Sequence, residues 1–161
     1  MKAITLWQPW ASLLACGAKE LETRPWNTNY RGKIAIHAAA KSPNLDTLME
    51  FSKVLRIIGR VNEHLGCYPG ELPRGAVIAT AELIGSHEIS YDKVSGRLAI
   101  TCIDEQLQDY QDYDIKIFPS YDELLLGDWS PGRYAWEFAN MTMLPEPISV
   151  KGKQGLWTWG D

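Results

Sequence analysis

The sequence predicts an α+β domain in which a small mixed β-barrel carries inserted helices. Short stretches rich in β-branched and small residues are separated by turns that contain proline or glycine. Segments in which apolar residues follow helical spacing lie between these stretches. With 161 residues and 45% hydrophobic content, the chain can bury one core. We therefore expect a single domain over residues 1–161.

The first strand and helix are marked by the residues at their ends. Residues 2–6 form the first predicted strand. Pro9 suits the first turn of a helix and Gly17 suits its end, because glycine readily adopts the left-handed conformation that stops a helix. The apolar face of this helix consists of Trp10, Leu13 and Leu14.

Two further strands are predicted before residue 41. Residues 20–24 alternate between polar and apolar side chains, which is typical of a strand with one solvated face. A turn at residues 31–32 then leads into the apolar residues 33–40, which are predicted to form the partner strand. The solvated face would carry Glu20, Glu22 and Arg24.

A longer amphipathic helix is expected next. It would begin at Ser42–Pro43 and end between Gly59 and Gly66. Its predicted apolar positions are Leu45, Leu48, Met49, Leu55 and Ile58.

The second half of the chain predicts mainly strands. Residues 75–85 and 133–141 have the composition of strands, and residues 97–103 are a further candidate. The acidic residues 104–114 are expected to form a surface loop. Ser120 and Glu123 have the spacing of a capping box that opens a short helix. Tyr134, Trp136 and Phe138 are predicted to share one face of their strand, and Trp157 and Trp159 are expected in the core.

Composition limits the possible function classes. No apolar run approaches 18 residues, so no membrane span is expected, and the N-terminus lacks the pattern of a signal peptide. The three cysteines are scattered, which favours reduced thiols in a cytoplasmic protein. The three histidines show no ligand spacing with each other or with the cysteines. We therefore expect neither a metal site nor a cofactor.

Charge is unevenly distributed along the chain. The net charge is −4, but residues 1–41 hold six Lys/Arg and two Asp/Glu, whereas residues 42–130 hold seven and fifteen. An acidic chain of this kind can still present one basic face, and local potential steers a charged ligand. An ordinary mixed surface is the alternative.

The densest group of candidate site residues lies between residues 5 and 41. Aromatic rings interleave there with cations, as single-stranded nucleic acid requires for stacking bases and pairing phosphates. Lys19 would contact a phosphate or act as a base, or would form a structural pair with Glu22. Arg24 offers a planar fork for phosphate, and Glu22 would orient either cation or stabilise the fold.

Other candidates surround this group. Trp26 would be a stacking platform, whereas Trp10 and the hydrogen-bonded His37 are expected in the core. Gln8 precedes the first helix and would present an amide to an anion. A second basic cluster lies in a glycine-rich loop near the C-terminus, with a plain solvated loop as its alternative. The remaining predicted contacts are Tyr30, Arg31, Lys41, Arg133, Lys151, Lys153 and Gln154.

The chain resembles the ASCH domain family. Its G-x-K-x-x-E-x-R string at Gly17, Lys19, Glu22 and Arg24 follows a short helix, as in that family. The resemblance extends over nearly the whole chain and is weakest from residue 86 to 130. Its other segments are LWQPWASLL, RPW-x-T-x-YRG-x-I-x-IHAAAK, GAVIATAEL, G-x-YAWEF and KGKQGLW.

The resemblance implies a closed β-barrel of the PUA-like type and a cleft lined by the motif. It also implies a nucleic-acid ligand, namely single-stranded RNA or a nucleotide end. Whether the chain is an enzyme stays open, since some relatives are amidohydrolases of acylated nucleosides and one has been proposed as a ribonuclease. Lys19 matches the amidohydrolase lysine, but Glu22 stands where those enzymes have a threonine. Lys19 is therefore better interpreted as a ligand contact than as a catalyst.

Overall fold

The computed structural model describes residues 1–41, 51–102 and 115–160. These ranges hold eight strands, three helices and a 3-10 turn. In chain order they are β1 (Lys2–Leu6), α1 (Trp10–Ala15), β2 (Leu21–Arg24), β3 (Gly32–Ala38), α2 (Phe51–Leu65), the 3-10 turn (Pro69–Glu71), β4 (Ala76–Tyr91), β5 (Leu98–Cys102), β6 (Ile115–Ile117), α3 (Tyr121–Leu125), β7 (Tyr134–Ser149) and β8 (Leu156–Thr158).

The strands form one mixed sheet in the order β2-β7-β4-β3-β1-β8, and β5 and β6 extend it from the far end of β4. Only β1 and β3 run parallel among the described pairings. The α+β class is thus confirmed. The register between β4 and β7 shifts at three points, and irregularities of this kind bend a sheet and increase its twist.

The expected closed barrel is wrong, because no described pairing joins the end strands β2 and β8. The α3 segment covers the free edge of the β2 region instead. The backbone N–H of Glu20 donates to the Glu123 carboxylate at 2.5 Å, and the Thr23 carbonyl accepts from Arg133 Nη2 at 3.3 Å. Side chains therefore satisfy part of an edge that a barrel would pair with another strand.

The predicted pairing of residues 20–24 with residues 33–40 is also wrong. β2 pairs with β7, whereas β3 lies between β1 and β4. Alternation identifies a strand and its faces but does not identify its neighbour. The polar face of β2 is not fully solvated either, because Glu22 is buried against Lys19.

The helix ends follow the sequence signals. Residues 2–6 do form β1, Pro9 precedes α1, and Gly17 adopts a left-handed φ of +81° just after it. Helix α2 ends at Leu65 before Gly66, whose φ is +64°. The predicted start at Ser42–Pro43 and the positions Leu45, Leu48 and Met49 lie outside the described residues.

The buried face of α2 differs by one position from the predicted face. Leu55 is 52% exposed, whereas the buried positions are Val54, Ile57 and Val61. Ile57 and Val61 pack with Leu13 of α1 in one apolar cluster. Spacing alone allowed either face, and the position of α1 decides between them.

Elements of the second half are longer than expected. β4 and β7 each run for sixteen residues, past the predicted ends near residues 85 and 141. Residues 98–102 form a strand as expected, and the acidic residues 104–114 lie outside the described residues. Ser120 caps α3 by accepting from the backbone N–H of Glu123.

The main core lies between the sheet and α1. Trp136 is fully buried there among aliphatic side chains that include Ile34, Ile36 and Leu83. Trp157 is buried in a separate cluster on the other side of β1 and β3. In the described part of the chain, no helix is long and apolar enough to cross a membrane.

Candidate functional site

The G-x-K-x-x-E-x-R motif forms a chain of ion pairs at the edge of the sheet. Lys19 Nζ lies 3.1 Å from Glu22 Oε2 and also donates to the Leu21 carbonyl. Arg24 Nε lies 3.4 Å from Glu22 Oε1 on the same strand face. Glu22 is thus held between two cations, as expected for a structural pair.

Lys19 is almost inaccessible, with 1% of its surface exposed. Its backbone N–H donates to the Leu13 carbonyl at 3.0 Å, so the end of α1 fixes it just before β2. A buried ammonium that is already paired has little capacity to contact a phosphate or to attack a substrate. This position favours the structural alternative for Lys19.

Glu123 of α3 is a second buried carboxylate beside Lys19, and it is absent from the predicted site. It accepts from the Glu20 backbone N–H, and its own carbonyl accepts from Trp129 Nε1 at 2.6 Å. Burial raises the pKa of the Glu123 carboxyl, and the charge of Lys19 partly opposes that shift. The capping-box spacing identified Glu123 as a helix residue but did not reveal this contact.

Arg24 extends the motif from the buried ion pairs to the surface. Its Nη2 donates to the Thr5 carbonyl at 2.9 Å, which fixes the guanidinium beside β1. Burial lowers the pKa of Arg24, Glu22 opposes this, and the nearby Arg133 adds to it. An arginine stays charged despite such shifts, so Arg24 presents a fixed positive charge.

A cleft of about 660 Å³ brings together half of the twelve predicted contact residues. We call it the basic cleft, and it is defined by the predicted residues Arg24, Trp26, Lys41, Lys151, Lys153 and Gln154, together with Trp7. Among the described lining residues there are four Lys/Arg and no Asp/Glu. The local charge is thus opposite in sign to the net charge of the chain.

Two tryptophan rings line the basic cleft. Trp7 is 53% exposed, although it follows a buried strand residue, and it was not among the predicted contacts. Trp26 is half-buried and packs edge-to-face on Trp136 with ring centroids 4.6 Å apart. A large exposed ring beside cations is a suitable surface for stacking a base.

A second recess of about 530 Å³ adjoins the basic cleft and shares Thr5, Trp7 and Arg24 with it. Arg133 lines this recess, as do Glu22 and Asp128. Arg133 lies 3.3 Å from the Asp128 carboxylate and also donates to the Thr23 carbonyl. Hydrogen bonding from Ser130 lowers the pKa of Asp128, so this recess is balanced in charge rather than basic.

Four predicted contacts lie outside both cavities, namely the buried Lys19 together with Gln8, Tyr30 and Arg31. Gln8 is 2% exposed and donates to Ser12 and to the Pro73 carbonyl, so it joins α1 to a neighbouring loop. The Tyr30 hydroxyl donates to the Lys33 carbonyl, and Arg31 donates to backbone carbonyls close to it in sequence. These bonds stabilise the loop that leads into β3.

His37 is a buried, hydrogen-bonded core residue, as expected. It is 1% exposed, and its Nε2 lies 3.0 Å from the Val150 carbonyl. The edge of the ring also lines the basic cleft beneath Gly152. Burial lowers the pKa of His37, which favours the neutral ring.

Comparisons with known proteins identify related sequences. The model of the ASCH domain matches residues 4–147. The chain is 35% identical to activating signal cointegrator 1 of Homo sapiens over 82 residues, and 34% identical to that of Mus musculus over 82 residues. Each match covers 50% of this chain and 13% of the relative, so the chain corresponds to a small part of those proteins.

Proposed function

The chain belongs to the ASCH domain family, and we propose that it binds single-stranded RNA or a nucleotide end in the basic cleft. One observation carries the proposal: four cations and two tryptophan rings line one open cleft that has no carboxylate among its described residues. Single-stranded nucleic acid needs this combination of charge and aromatic surface.

The cations would bind phosphates. Lys41, Lys151 and Lys153 are exposed, so their ammonium groups reach a ligand without much loss of hydration. Arg24 is held more rigidly by Thr5 and Glu22, and a fixed guanidinium binds a phosphate in a defined orientation. The glycines at 152 and 155 let the backbone of the loop approach a ligand closely.

The rings would bind bases. Trp7 offers the larger free face, and each stacked base contributes about 1–3 kcal/mol. Stacking is tolerant of sequence because every base has a π face. We therefore expect weak sequence preference and strong dependence on salt.

We do not propose hydrolase chemistry for Lys19 and Glu22. The two side chains pair with each other, and Lys19 is almost inaccessible. A catalytic lysine would have to reach a substrate carbonyl, which this packing prevents.

The proposal is tested by fluorescence anisotropy with a labelled single-stranded RNA, over about 50–200 mM salt. The Lys151→Ala/Lys153→Ala variant removes two cleft cations. Binding should weaken, and the slope of log K against log salt should fall in magnitude by about 1.4, or about 0.7 for each lost phosphate contact. DNA of the same sequence tests whether the 2′-hydroxyl matters.

The matched control is Lys33→Ala/Lys93→Ala, which removes two exposed lysines outside both cavities. It lowers the net charge equally and should leave the slope unchanged. Failure of the wild-type protein to bind either nucleic acid would contradict the proposal, as would equal effects of the two double variants. The first outcome would favour a protein-interaction domain.

A further inference from the structure

The loop that carries half of the cleft's predicted contacts is supported from below by three side chains. We call residues 150–155 the cleft loop, since it supplies Lys151, Lys153 and Gln154. The Val150 N–H donates to the Gly75 carbonyl at 3.0 Å, which fixes where the loop leaves β7. The remaining support comes from β1, β3 and β8.

Thr5 and His37 are direct partners in the parallel pairing of β1 with β3. The Thr5 hydroxyl donates to the Lys153 carbonyl at 2.9 Å, and it accepts from Trp157 Nε1 at 3.1 Å. The Trp157 ring meets the His37 ring edge-to-face, with centroids 5.6 Å apart. The three side chains are thus connected to each other as well as to the loop.

His37 binds the loop in one tautomer. A carbonyl can only accept, so the ring atom at the Val150 carbonyl must be the protonated Nε2. Nδ1 then carries the lone pair in the neutral ring, and it has no hydrogen-bond partner among the described residues. The edge of the ring that carries Nδ1 lies against Gly152.

Steric contacts exclude any residue other than glycine at position 152. A Cβ atom added at this position would lie 2.6 Å from His37 Nδ1 and 2.9 Å from Thr5 Oγ1, and closer still to His37 Cε1. Real Cβ contacts are essentially never this short, and the His37 ring is buried and held by its hydrogen bond to the Val150 carbonyl. Any side chain at residue 152 would therefore lift the cleft loop from its support.

We propose that Gly152, seated on His37 and Thr5, positions the cleft loop so that Lys151 and Lys153 act on the same bound strand as Arg24. Gly152 and His37 are positioning residues in this scheme, since they act through the lysines. The proposal rests on the nucleic-acid function proposed above. It predicts that Gly152→Ala, which removes no charge, weakens binding in the same way as the loss of the two cations Lys151 and Lys153.

The test compares Gly152→Ala with wild type, with Lys151→Ala/Lys153→Ala, and with Gly70→Ala as the matched glycine control. Gly70 has no heavy atom within 4 Å of an added Cβ and no positive φ. Anisotropy with labelled single-stranded RNA at several salt concentrations should give Gly152→Ala a salt slope smaller in magnitude by about 1.4, and Gly70→Ala an unchanged slope. A Gly152→Ala protein that binds with the wild-type slope would overturn the inference.

A second readout does not depend on nucleic acid. Nitrogen-15 spectra of the wild-type histidines should show His37 as the neutral tautomer protonated at Nε2, and Gly152→Ala should shift those signals. His37→Gln keeps an amide donor near the Nε2 position, so it should bind more tightly than His37→Phe. An Nδ1-protonated tautomer, or equal affinity of the two variants, would refute the support described here. If the wild-type protein does not bind RNA, the proposed function is wrong. The histidine spectra still test whether His37 supports the cleft loop.

Discussion

Replacing Lys19 by methionine tests whether the motif lysine is structural. Methionine keeps the length and most of the volume of the side chain but removes its charge. Glu22 then loses its contact at 3.1 Å, and the Leu21 carbonyl loses a donor. Removing one partner of a buried ion pair costs about 3–5 kcal/mol.

We expect the lower end of this range, because Arg24 remains 3.4 Å from Glu22. A loss of about 3 kcal/mol, with a urea m-value of about 2 kcal/mol per M, lowers the midpoint of unfolding by about 1.5 M. The measurement is urea unfolding at neutral pH followed by circular dichroism. Lys33→Met is the control, since Lys33 is exposed and should change stability by less than about 0.5 kcal/mol.

A double-mutant cycle isolates the pair. Glu22→Gln alone leaves Lys19 buried without its partner, whereas Lys19→Met/Glu22→Gln removes both charges. The double variant should therefore lose less stability than the sum of the single variants, with a coupling of about 1–3 kcal/mol. A Lys19→Met protein as stable as the Lys33→Met control would refute the structural reasoning.

Two further predictions concern the cleft and the second buried carboxylate. Trp7→Ala should weaken RNA binding by about 1–3 kcal/mol per lost stack while the salt slope stays unchanged, as measured by the same anisotropy titrations; a changed slope would mean that the ring acts through phosphates. Burial raises the folded-state pKa of Glu123 above its usual 4.5. The contribution of Glu123 to the free energy of unfolding is therefore complete below about pH 4.5 and is lost as pH rises through the folded-state pKa. Glu123→Gln should remove this loss, so urea unfolding across pH 4–7 should show a flatter stability profile; parallel profiles would contradict the assignment.

Local signals in the sequence predicted local features correctly. Pro9 and Gly17 delimit α1, Gly66 ends α2, and Ser120 caps α3. Each signal acts through backbone conformation or a hydrogen bond within a few residues, so its effect does not depend on the rest of the fold. The alternation of residues 20–24 likewise predicted the strand β2 correctly.

Features that depend on distant partners were not predictable in this way. β2 could have paired with any strand of suitable length, and its choice of β7 over β3 follows from the whole sheet. The alternation of Glu22 with apolar neighbours suggested a solvated face, but α3 contributes a second carboxylate, Glu123, from a hundred residues away. That contact has no sequence signature apart from the charge itself.

The residues of the candidate site likewise divide into those that the sequence predicted correctly and those that depend on distant partners. Chemistry identified the lysines of the cleft loop, because glycine-flanked cations suit a phosphate site wherever they lie. It also selected Gln8 and Arg31, whose side chains bind nearby backbone instead. Trp7 was not among the predicted contacts, and the structure places its exposed ring beside Arg24 in the cleft.

The ion-pair chain explains how a carboxylate can lie near a proposed phosphate site. Glu22 would repel a phosphate, yet Lys19 compensates its charge from the buried side and Arg24 faces the cleft. Lys19 would then support binding without touching the ligand, because it leaves the charge of Arg24 available to phosphate. It follows that the folded Lys19→Met protein should bind RNA more weakly than wild type. Its salt slope should change little, because the number of phosphates contacted stays the same. Direct contact by Lys19 would instead lower the salt slope by about 0.7, as for a cleft lysine.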